Sequence, residues 1–497
     1  MSTRQPINRR AFVQQGGSAL TAAATAASAP AFLQGQDQNR PNIIVVTVDQ
    51  MRGDALSLYG NPNAKTPTLD RMCREGVSFD NGFCNNPLCV PSRISLYKGL
   101  DPGQHGQLHN RHGKIDDMDL SITAMVKEAG YRTGFFGKNH MFFDESMRKY
   151  FDVLSIRDRE NFRAYSPLVP AWWHGDAYWP EEECHPNKNV RELLDFAAKS
   201  KPGQPFYAGL SIFDPHPPYM APSEYAHEFD PDEMVVPPFV PAAALGVRLD
   251  EYRRAMGYQY MNETDLKETL RYYYAQVLWC DAMMGRVIDG LDRLGVLENT
   301  VIFFTSDHGD FMGEHWMTRK GMFHHDALLH VPFIWYAPGR FATGHRVTEA
   351  AQLTDVFPTL ADMLGMQVPT ACRGKSLTPH LQAQAESDPD RPVYAMGAFH
   401  EVDRYLLDEG PVPAKKLESP RHTRTMKGPK PEDFHRFTAS ARTAEWRYIT
   451  SSVHGEELYR YEKGSWQETK NLAGNPNYAD VQRRLAGQLA QQWQLPG

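Results

Sequence analysis

The feature that most constrains the fold is a set of short apolar segments, each followed at once by ionisable residues. The first, NIIVVTV at residues 42–48, is a continuous apolar and β-branched run, typical of a strand buried on both faces of a parallel sheet. Similar strands are predicted at 131–136, 206–213 and 300–306. Helical segments lie between them, which predicts an α/β fold with a large, mostly parallel sheet flanked by helices.

Each of these strands ends in residues that carry charge or bind it. In open parallel sheets, ligands bind outside the carboxyl ends of the strands, so side chains that follow different strands meet there. A single aspartate after a strand is usually a turn residue or a helix cap. Four such coincidences on one edge predict a site instead. Its candidate residues are Asp49, Gln50, Lys138, His140, His216, Asp307 and His308.

The chemistry of this set follows from its side chains. Carboxylate and amide oxygens together with an imidazole suit a divalent cation. Arg93, Lys138 and Lys320 add positive charge, and the remaining histidines supply proton transfer near neutral pH. The pattern therefore favours hydrolysis of an anionic ester, either a phosphate or a sulfate.

The segment NNPLCVPSRISLYKG, residues 85–99, places Cys89 directly before a helix that we expect to start at Pro91 and to end at Gly99. The positive end of a helix lowers the pKa of a thiol and attracts anions. Cys89 is therefore either a reactive or chemically altered cysteine, or a buried structural one. The hydrolytic site makes it the candidate position of the nucleophile.

Composition excludes several classes of protein. The chain has 497 residues and a net charge of -7, which argues against a nucleic-acid binder because phosphate binding needs a basic face. No apolar run is long enough to span a membrane. The six cysteines include no CxxC pair, so a zinc site is not indicated and at most one or two disulfides are available.

The first 35 residues are set apart from the fold. Arg9 and Arg10 precede an alanine-rich run that ends in a small-residue cleavage pattern at 29–31, which resembles a twin-arginine export signal. The alternative is a disordered alanine-rich tail. A signal at 1–35 predicts a periplasmic or secreted protein. We expect a catalytic domain over 40–385 and a smaller C-terminal α+β subdomain over 390–497.

The sequence CVPSR matches the C-x-P-S-R signature of the type I sulfatases. The resemblance continues, in the order of the family, through PNIIVVTVDQMRGDAL, GYRTGFFGKNH, DPHPPY and NTVIFFTSDHGDFMGEHWMTRKG. The chain thus resembles the formylglycine-dependent sulfatases of the alkaline phosphatase superfamily. This resemblance implies an alkaline-phosphatase-like fold and a sulfuric ester hydrolase.

The resemblance also implies a modified residue and a metal. Cys89 would be oxidised to formylglycine, or 3-oxoalanine, by a formylglycine-generating enzyme that reads Pro91 and Arg93. The hydrated aldehyde is a diol, of which one hydroxyl attacks sulfur and the other helps to expel sulfate. The metal would be Ca2+, with Mn2+ or Mg2+ as alternatives, because this chain has Asp49-Gln50 where the family usually has two aspartates.

Carried over by position, the metal ligands would be Asp49, Gln50, Asp307, His308 and the group derived from Cys89. The catalytic residues implied by the resemblance are Cys89, Arg93, Lys138, His140, His216 and Lys320.

The implied roles differ among these catalytic residues. Arg93 and Lys138 would hold the diol, and His140 would be the base that drives elimination of sulfate. His216 and Lys320 would bind sulfate oxygens and assist the leaving alcohol.

Three functions stay open at this point. The first is a sulfatase, and our hypothesis for its substrate is a sulfated saccharide because of a tryptophan-rich loop at 171–179 and a basic loop at 410–430. Choline sulfate and aryl sulfates are the competing substrates. The second function is a phosphonate monoester or phosphodiester hydrolase, a related class that can share the Asp-Gln pair. The third is an inactive protein that binds sulfated glycans.

Overall fold

The computed structural model describes residues 40–110, 113–157, 172–177, 179–201, 203–239, 247–398, 437–452, 455–461, 468 and 470–493. The predicted export signal and the basic loop at 410–430 lie outside the described residues.

In chain order, the described strands are β1 (Asn42–Val48), β2 (Val77–Phe83), β3 (Arg132–Gly137), β4 (Val153–Ile156), β5 (His174–Asp176), β6 (Phe206–Ser211), β7 (Tyr219–Ala221), β8 (Thr300–Ser306), β9 (Phe333–Tyr336), β10 (His345–Gln352), β11 (Val393–Ala398), β12 (Phe437–Arg442), β13 (Trp446–Ser451) and β14 (Gly455–Arg460). The described α-helices are α1 (Pro67–Glu75), α2 (Cys89–Lys98), α3 (Pro102–His105), α4 (Ile122–Glu128), α5 (Asp144–Tyr150), α6 (His185–Ala198), α7 (Ser223–Ala226), α8 (Val247–Ala255), α9 (Glu263–Arg293), α10 (Asp326–Leu329), α11 (Val356–Met363), α12 (Thr378–Leu381) and α13 (Ala479–Trp493).

A large sheet forms the centre of the molecule, and its strands lie in the order β10-β2-β9-β8-β1-β6-β3-β4. Neighbouring strands run parallel everywhere except at β9, which is antiparallel to both β2 and β8. Strand β1 is fully buried, as its unbroken apolar sequence predicts. The predicted fold class, a mostly parallel sheet flanked by helices, is confirmed.

The register of the four central strands explains where the site forms. Val48 at the end of β1 is paired with Ser306 at the end of β8. Ser211 at the end of β6 is paired with both Thr47 of β1 and Gly137 of β3. All four strands therefore end at the same level, and the residues that follow them emerge side by side.

Helix α9 starts at Glu263, where the Asn262 side chain caps it by accepting a hydrogen bond from the Asp265 backbone N–H at 2.9 Å. Helix α2 begins earlier than the sequence predicts. Helix α2 starts at Cys89 itself, so Pro91 lies at its third position rather than its first. Proline is tolerated there because the N–H groups of the first turn have no hydrogen-bond acceptor within the helix, so the missing N–H of proline costs no bond. Gly99 ends α2 with a φ of 62°, as expected.

A second, antiparallel sheet lies in the C-terminal part of the chain, with strand order β11-β12-β13-β14. Helix α13 packs on it through Leu485 and Leu489, which share a buried cluster with Ala439 and Tyr448. The predicted small α+β subdomain is thereby confirmed. Its boundaries and those of the catalytic domain stay predictions.

A buried ionic group, which we call the Asp326 cluster, joins this second sheet to the start of α10. It consists of Asp326, Arg442, Arg447, Tyr461 and Glu468. The carboxylate of Asp326 accepts from Arg442 Nη2 at 2.9 Å and from Arg447 Nε at 3.1 Å. The Asp326 backbone N–H donates to Glu468 Oε1 at 2.6 Å, and the Tyr461 hydroxyl donates to the same oxygen. Arg442 also stacks on the Tyr461 ring at 3.8 Å.

All six cysteines of the chain fall within the described residues, and all are free thiols. Of the helices in the described ranges, none combines the length and the apolar character needed to cross a membrane.

Candidate active site

The predicted site residues come together at the carboxyl edge of the large sheet, around Cys89. We call this group the Cys89 centre. Its members are Asp49, Gln50, Cys89, Arg93, Lys138, His140, His216, Asp307, His308 and Lys320.

Cys89 opens α2, and only 1% of its surface is exposed. Its sulfur lies 3.0 Å from Lys320 Nζ and 3.2 Å from His308 Nε2. Asp49 Oδ1 and Lys138 Nζ follow at 3.7 and 3.8 Å. The sulfur therefore faces two ammonium groups at the positive end of a helix.

This environment separates Cys89 from the other cysteines of the chain. Burial and Asp49 raise the pKa of the Cys89 thiol, but Lys138, Lys320 and His308 outweigh them and hold that pKa well below its usual range. Burial raises the pKa of the other five thiols, at Cys73, Cys84, Cys184, Cys280 and Cys372. Cys89 is thus the thiol of this chain that is poised for chemistry.

Arg93 lies one helical turn after Cys89 and shares its face of α2. Its guanidinium donates to Asp307 Oδ2 at 2.7 Å and to Asp49 Oδ2 at 2.9 Å. A third bond goes to Ser211 Oγ at 2.7 Å. One arginine therefore connects α2 with the ends of β1, β6 and β8 and fixes Cys89 against the sheet.

Asp49 lies beside three cationic side chains, those of Arg93, Lys138 and Lys320. Lys138 Nζ donates to its Oδ2 at 2.5 Å, beside the bond from Arg93, and His216 Nε2 lies 4.0 Å from its Oδ1. Burial raises the pKa of Asp49, but Lys138, Lys320 and Arg93 outweigh it and hold that pKa well below its usual range. Asp49 is therefore an ionised carboxylate near neutral pH.

The two histidines that follow β3 and β6 are held as neutral rings. Burial lowers the pKa of His140, although its hydrogen bond with Cys89 raises it. Burial also lowers the pKa of His216, and nearby Lys320 lowers it further. His216 Nδ1 lies 2.6 Å from the Pro217 carbonyl, which requires the hydrogen on Nδ1 and leaves Nε2 directed at the centre.

The donor set fits a cation. Ligand atoms of Asp49, Cys89, Asp307 and His308 lie within 4.8 Å of one another. The Lys320 ammonium already stands among them, 2.8 Å from Gln50 Oε1 and 2.9 Å from His308 Nε2. His308 Nδ1 lies 2.8 Å from the Gly309 carbonyl, which places the hydrogen of the neutral ring on Nδ1 and leaves Nε2 as the atom that can bind a metal. Oxygen donors with one imidazole match a divalent cation.

Three buried residues of the site were missed from the sequence. Ser211 accepts from Arg93, while Asp310 and Tyr219 form a hydrogen-bonded group behind Gln50. The only sequence signal was the position of Ser211 and Asp310 beside predicted strand ends. Their roles depend on partners far away in the chain.

The tryptophan-rich loop is only partly described. Trp172 packs on Tyr258 with ring centroids 5.8 Å apart, which is core packing, whereas Trp179 is 40% exposed. The prediction that this loop contacts substrate stays a prediction.

Comparison with known proteins agrees with this geometry. The family model described as Sulfatase matches residues 41–366. An arylsulfatase of Clostridium perfringens is 29% identical over 378 residues, which cover 68% of this chain and 78% of that protein. An ulvan-active sulfatase of Formosa agariphila is 27% identical over 423 residues, covering 80% of this chain and 75% of the relative.

Solved structures share the fold over nearly the whole chain. The phosphonate monoester hydrolase of Agrobacterium radiobacter superposes with a TM-score of 0.70 at 24% identity, covering 91% of this chain and 95% of that one. BT4656, solved in complex with its substrate D-glucosamine-2-N,6-O-disulfate, gives a TM-score of 0.70 at 21% identity, covering 92% of this chain and 98% of that one.

Proposed function

This chain belongs to the sulfatase family and is a sulfuric ester hydrolase, and we propose that it releases sulfate from sulfated saccharides with a nucleophile made from Cys89. The observation that carries the proposal is the Cys89 sulfur itself. It is buried at the start of α2, within 3.8 Å of two ammonium groups, in the motif CVPSR. A cysteine that only packs in the core does not require two ammonium groups beside its sulfur.

The nucleophile in this proposal is the hydrate of formylglycine, formed from Cys89 by a separate formylglycine-generating enzyme that supplies the oxidant and removes the sulfur. A geminal diol supplies one hydroxyl to attack sulfur and a second that allows sulfate to leave without a further hydrolysis. Arg93 and Lys138 stabilise negative charge there, since both already lie against Asp49 beside Cys89.

Proton transfer falls to the remaining residues of the Cys89 centre. His140 contacts Cys89 and is neutral near pH 7, so it acts as the base that removes a proton from the nucleophilic side chain. Lys320 keeps its proton, because burial lowers its pKa but Cys89 and the nearby carboxylates raise it above its usual value overall. Lys320 therefore binds sulfate oxygens and assists the leaving alcohol, and neutral His216 helps to bind the sulfate.

A divalent metal completes the proposal. Asp49, Gln50, Asp307 and His308 would hold it together with the group at residue 89, and it would polarise the sulfate oxygens when bound. Ca2+ is our first choice because oxygen donors dominate. Mn2+ and Mg2+ are the alternatives, because the amide of Gln50 replaces a carboxylate.

The substrate class is supported by relatives. One similar protein is an ulvan-active sulfatase, and one protein of the same fold was solved with a disulfated glucosamine. The exposed Trp179 offers an aromatic face of the kind that stacks on sugar rings. Choline sulfate and aryl sulfates are the competing small substrates.

Phosphonate monoester hydrolysis is a second candidate. The Asp49-Gln50 pair and the close structural similarity to a phosphonate monoester hydrolase favour it. Because the chain is a sulfuric ester hydrolase, an inactive glycan-binding protein is not carried further.

One experiment separates these candidates. Purified protein is assayed for sulfate release from sulfated oligosaccharides, choline sulfate and an aryl sulfate, and for hydrolysis of a phosphonate monoester. We expect the highest kcat/KM on an oligosaccharide. Turnover of choline sulfate with none on any saccharide would exclude the glycan substrate, and a preference for the phosphonate would favour the second candidate.

Export by the twin-arginine route is also part of the proposal, and it rests on Arg9 and Arg10. We expect the protein in the periplasm or outside the cell. Replacing both arginines by lysine is expected to retain the protein in the cytoplasm, as measured by fractionation. Unchanged export would contradict this part of the proposal and leave the enzymatic part intact.

A further inference from the structure

The side-chain amide of Gln50 is held by hydrogen bonds at both of its ends. Its Nε2 donates to Asp310 Oδ2 at 2.5 Å, and its Oε1 accepts from Lys320 Nζ at 2.8 Å. Both Gln50 and Asp310 are completely buried. The two ends of one amide therefore face two different groups, and only the oxygen faces the donor set.

The direction of this amide follows from the partners of Asp310. The Tyr219 hydroxyl accepts from the Arg319 backbone N–H at 3.1 Å and donates its own hydrogen to Asp310 Oδ2 at 2.8 Å. The Met312 backbone N–H donates to Asp310 Oδ1 at 2.8 Å. Asp310 thus already accepts from two donors, and Lys320 at the other end of the amide can only donate. Gln50 must therefore turn its oxygen toward Lys320 and present its N–H to Asp310.

We propose that Asp310 and Tyr219 are positioning residues that fix Gln50 as an oxygen ligand, and that Gln50 and Asp310 are a matched pair. This inference rests on the proposed metal site. A carboxylate at residue 50 would meet the Asp310 carboxylate at hydrogen-bond distance with no hydrogen between them. Asp310 therefore requires an amide at residue 50. A substitution at either of the two positions is expected to need a matching substitution at the other.

The test measures Ca2+ binding to the full-length, chelator-treated protein by calorimetric titration, together with the midpoint of thermal unfolding. In Asp310→Asn, the introduced side-chain amide can donate or accept, so Gln50 loses its fixed direction. Affinity for Ca2+ is expected to fall by about 10- to 100-fold, the usual effect of losing a group that orients a metal ligand. Tyr219→Phe is expected to give a smaller loss in the same direction, because Met312 still donates to Asp310.

The pair is tested by exchanging the amide at residue 50 and the carboxylate at residue 310. Gln50→Glu alone is expected to bind Ca2+ more weakly than the double variant Gln50→Glu/Asp310→Asn, in which the introduced amide donates to the introduced carboxylate. The double variant is expected to regain at least the wild-type affinity. Asp281→Asn is the control, since Asp281 is another buried carboxylate but caps α1 by accepting from Leu69 N at 2.7 Å. It is expected to change stability and not Ca2+ affinity.

The outcomes are distinguishable. Wild-type affinity in Asp310→Asn, or a double variant no better than Gln50→Glu, overturns the matched pair and leaves the proposed function standing. Absence of Ca2+, Mn2+ and Mg2+ binding in the wild type overturns the metal site and this inference with it. Rescue by the double variant supports the pair, because a purely structural role for Asp310 would not be repaired by adding a second substitution.

Discussion

Two of the deeply buried ionic groups of the molecule differ in where their cations point. In the Asp326 cluster, Arg442 and Arg447 both close on a single carboxylate. In the Cys89 centre, Lys138 and Lys320 reach past the carboxylates to a sulfur atom. Buried charge in the first region holds the second sheet against α10, whereas buried charge in the second is directed at the sulfur from which the nucleophile is proposed to be made. Substitutions should therefore reduce stability in one region and activity in the other.

The largest effect is expected for Cys89→Ala. Without a precursor for the nucleophile, sulfate release should fall on the order of 10,000-fold or more, as it does when other covalent nucleophiles are removed. Folding should be retained, as measured by circular dichroism. Cys84→Ala is the matched control, because Cys84 is an equally buried thiol whose sulfur contacts backbone carbonyls of Asn86 and Leu328. Full activity in Cys89→Ala would refute the mechanism.

Asp326→Asn tests the other region. Removal of this carboxylate takes away the counter-charge that both guanidiniums contact, and Glu468 approaches Arg447 only to 4.0 Å. The free energy of unfolding is therefore expected to fall by about 3–5 kcal/mol. Activity per folded molecule should stay within about threefold of wild type, because no atom of the cluster is placed in the reaction. Urea unfolding measures the first quantity and active-site-normalised kcat the second. Asp390→Asn is the control, since its ion pair with Arg484 is on the surface.

Lys138→Met tests the cationic side of the Cys89 centre. Loss of this ammonium should lower kcat by about 100- to 1,000-fold, the usual effect of removing one donor that stabilises transition-state charge. The free energy of unfolding should change by less than about 1.5 kcal/mol, because Asp49 keeps its ion pair with Arg93 at 2.9 Å. If Lys138→Met lowers the free energy of unfolding as much as Asp326→Asn does, buried charge serves stability in both regions and the distinction between them is wrong.

The smallest effect concerns pH. Burial raises the pKa of Asp326, but Arg442 and Arg447 outweigh it and hold the pKa well below its usual range. The unfolded chain therefore binds a proton on Asp326 before the folded chain does, and stability from this group is fully present above about pH 4 and lost progressively below it. The stability difference between wild type and Asp326→Asn should shrink by about 1 kcal/mol between pH 6 and pH 3. Urea titrations at both pH values measure it, and a constant difference would contradict the assignment.

Much of this arrangement was predictable because it depends on local patterns. Strand β8 has the predicted bounds, and the residues that follow it, Asp307 and His308, lie where strand-end reasoning puts them. The antiparallel β9 and the Asp326 cluster were not predicted. A short apolar strand carries no signal of direction, and Arg447 gives no sign in the sequence that its partner precedes it by more than a hundred residues. Asp310 was missed for the same reason, since it acts only through Gln50 and Tyr219.

Cys89 is closed off by folding, together with Pro91 and Arg93 beside it. An enzyme that oxidises this side chain must bind the segment around it, and folding buries that segment. On the proposed mechanism, oxidation and folding therefore compete in each newly made chain. In a molecule that folds before it is oxidised, Cys89 stays an unmodified thiol that is buried and out of reach of the enzyme. Such a molecule is inactive but has normal stability. The specific activity of a purified sample would then measure the fraction of chains in which Cys89 was oxidised before folding was complete. Slower folding or more maturation enzyme should raise it without any change in sequence.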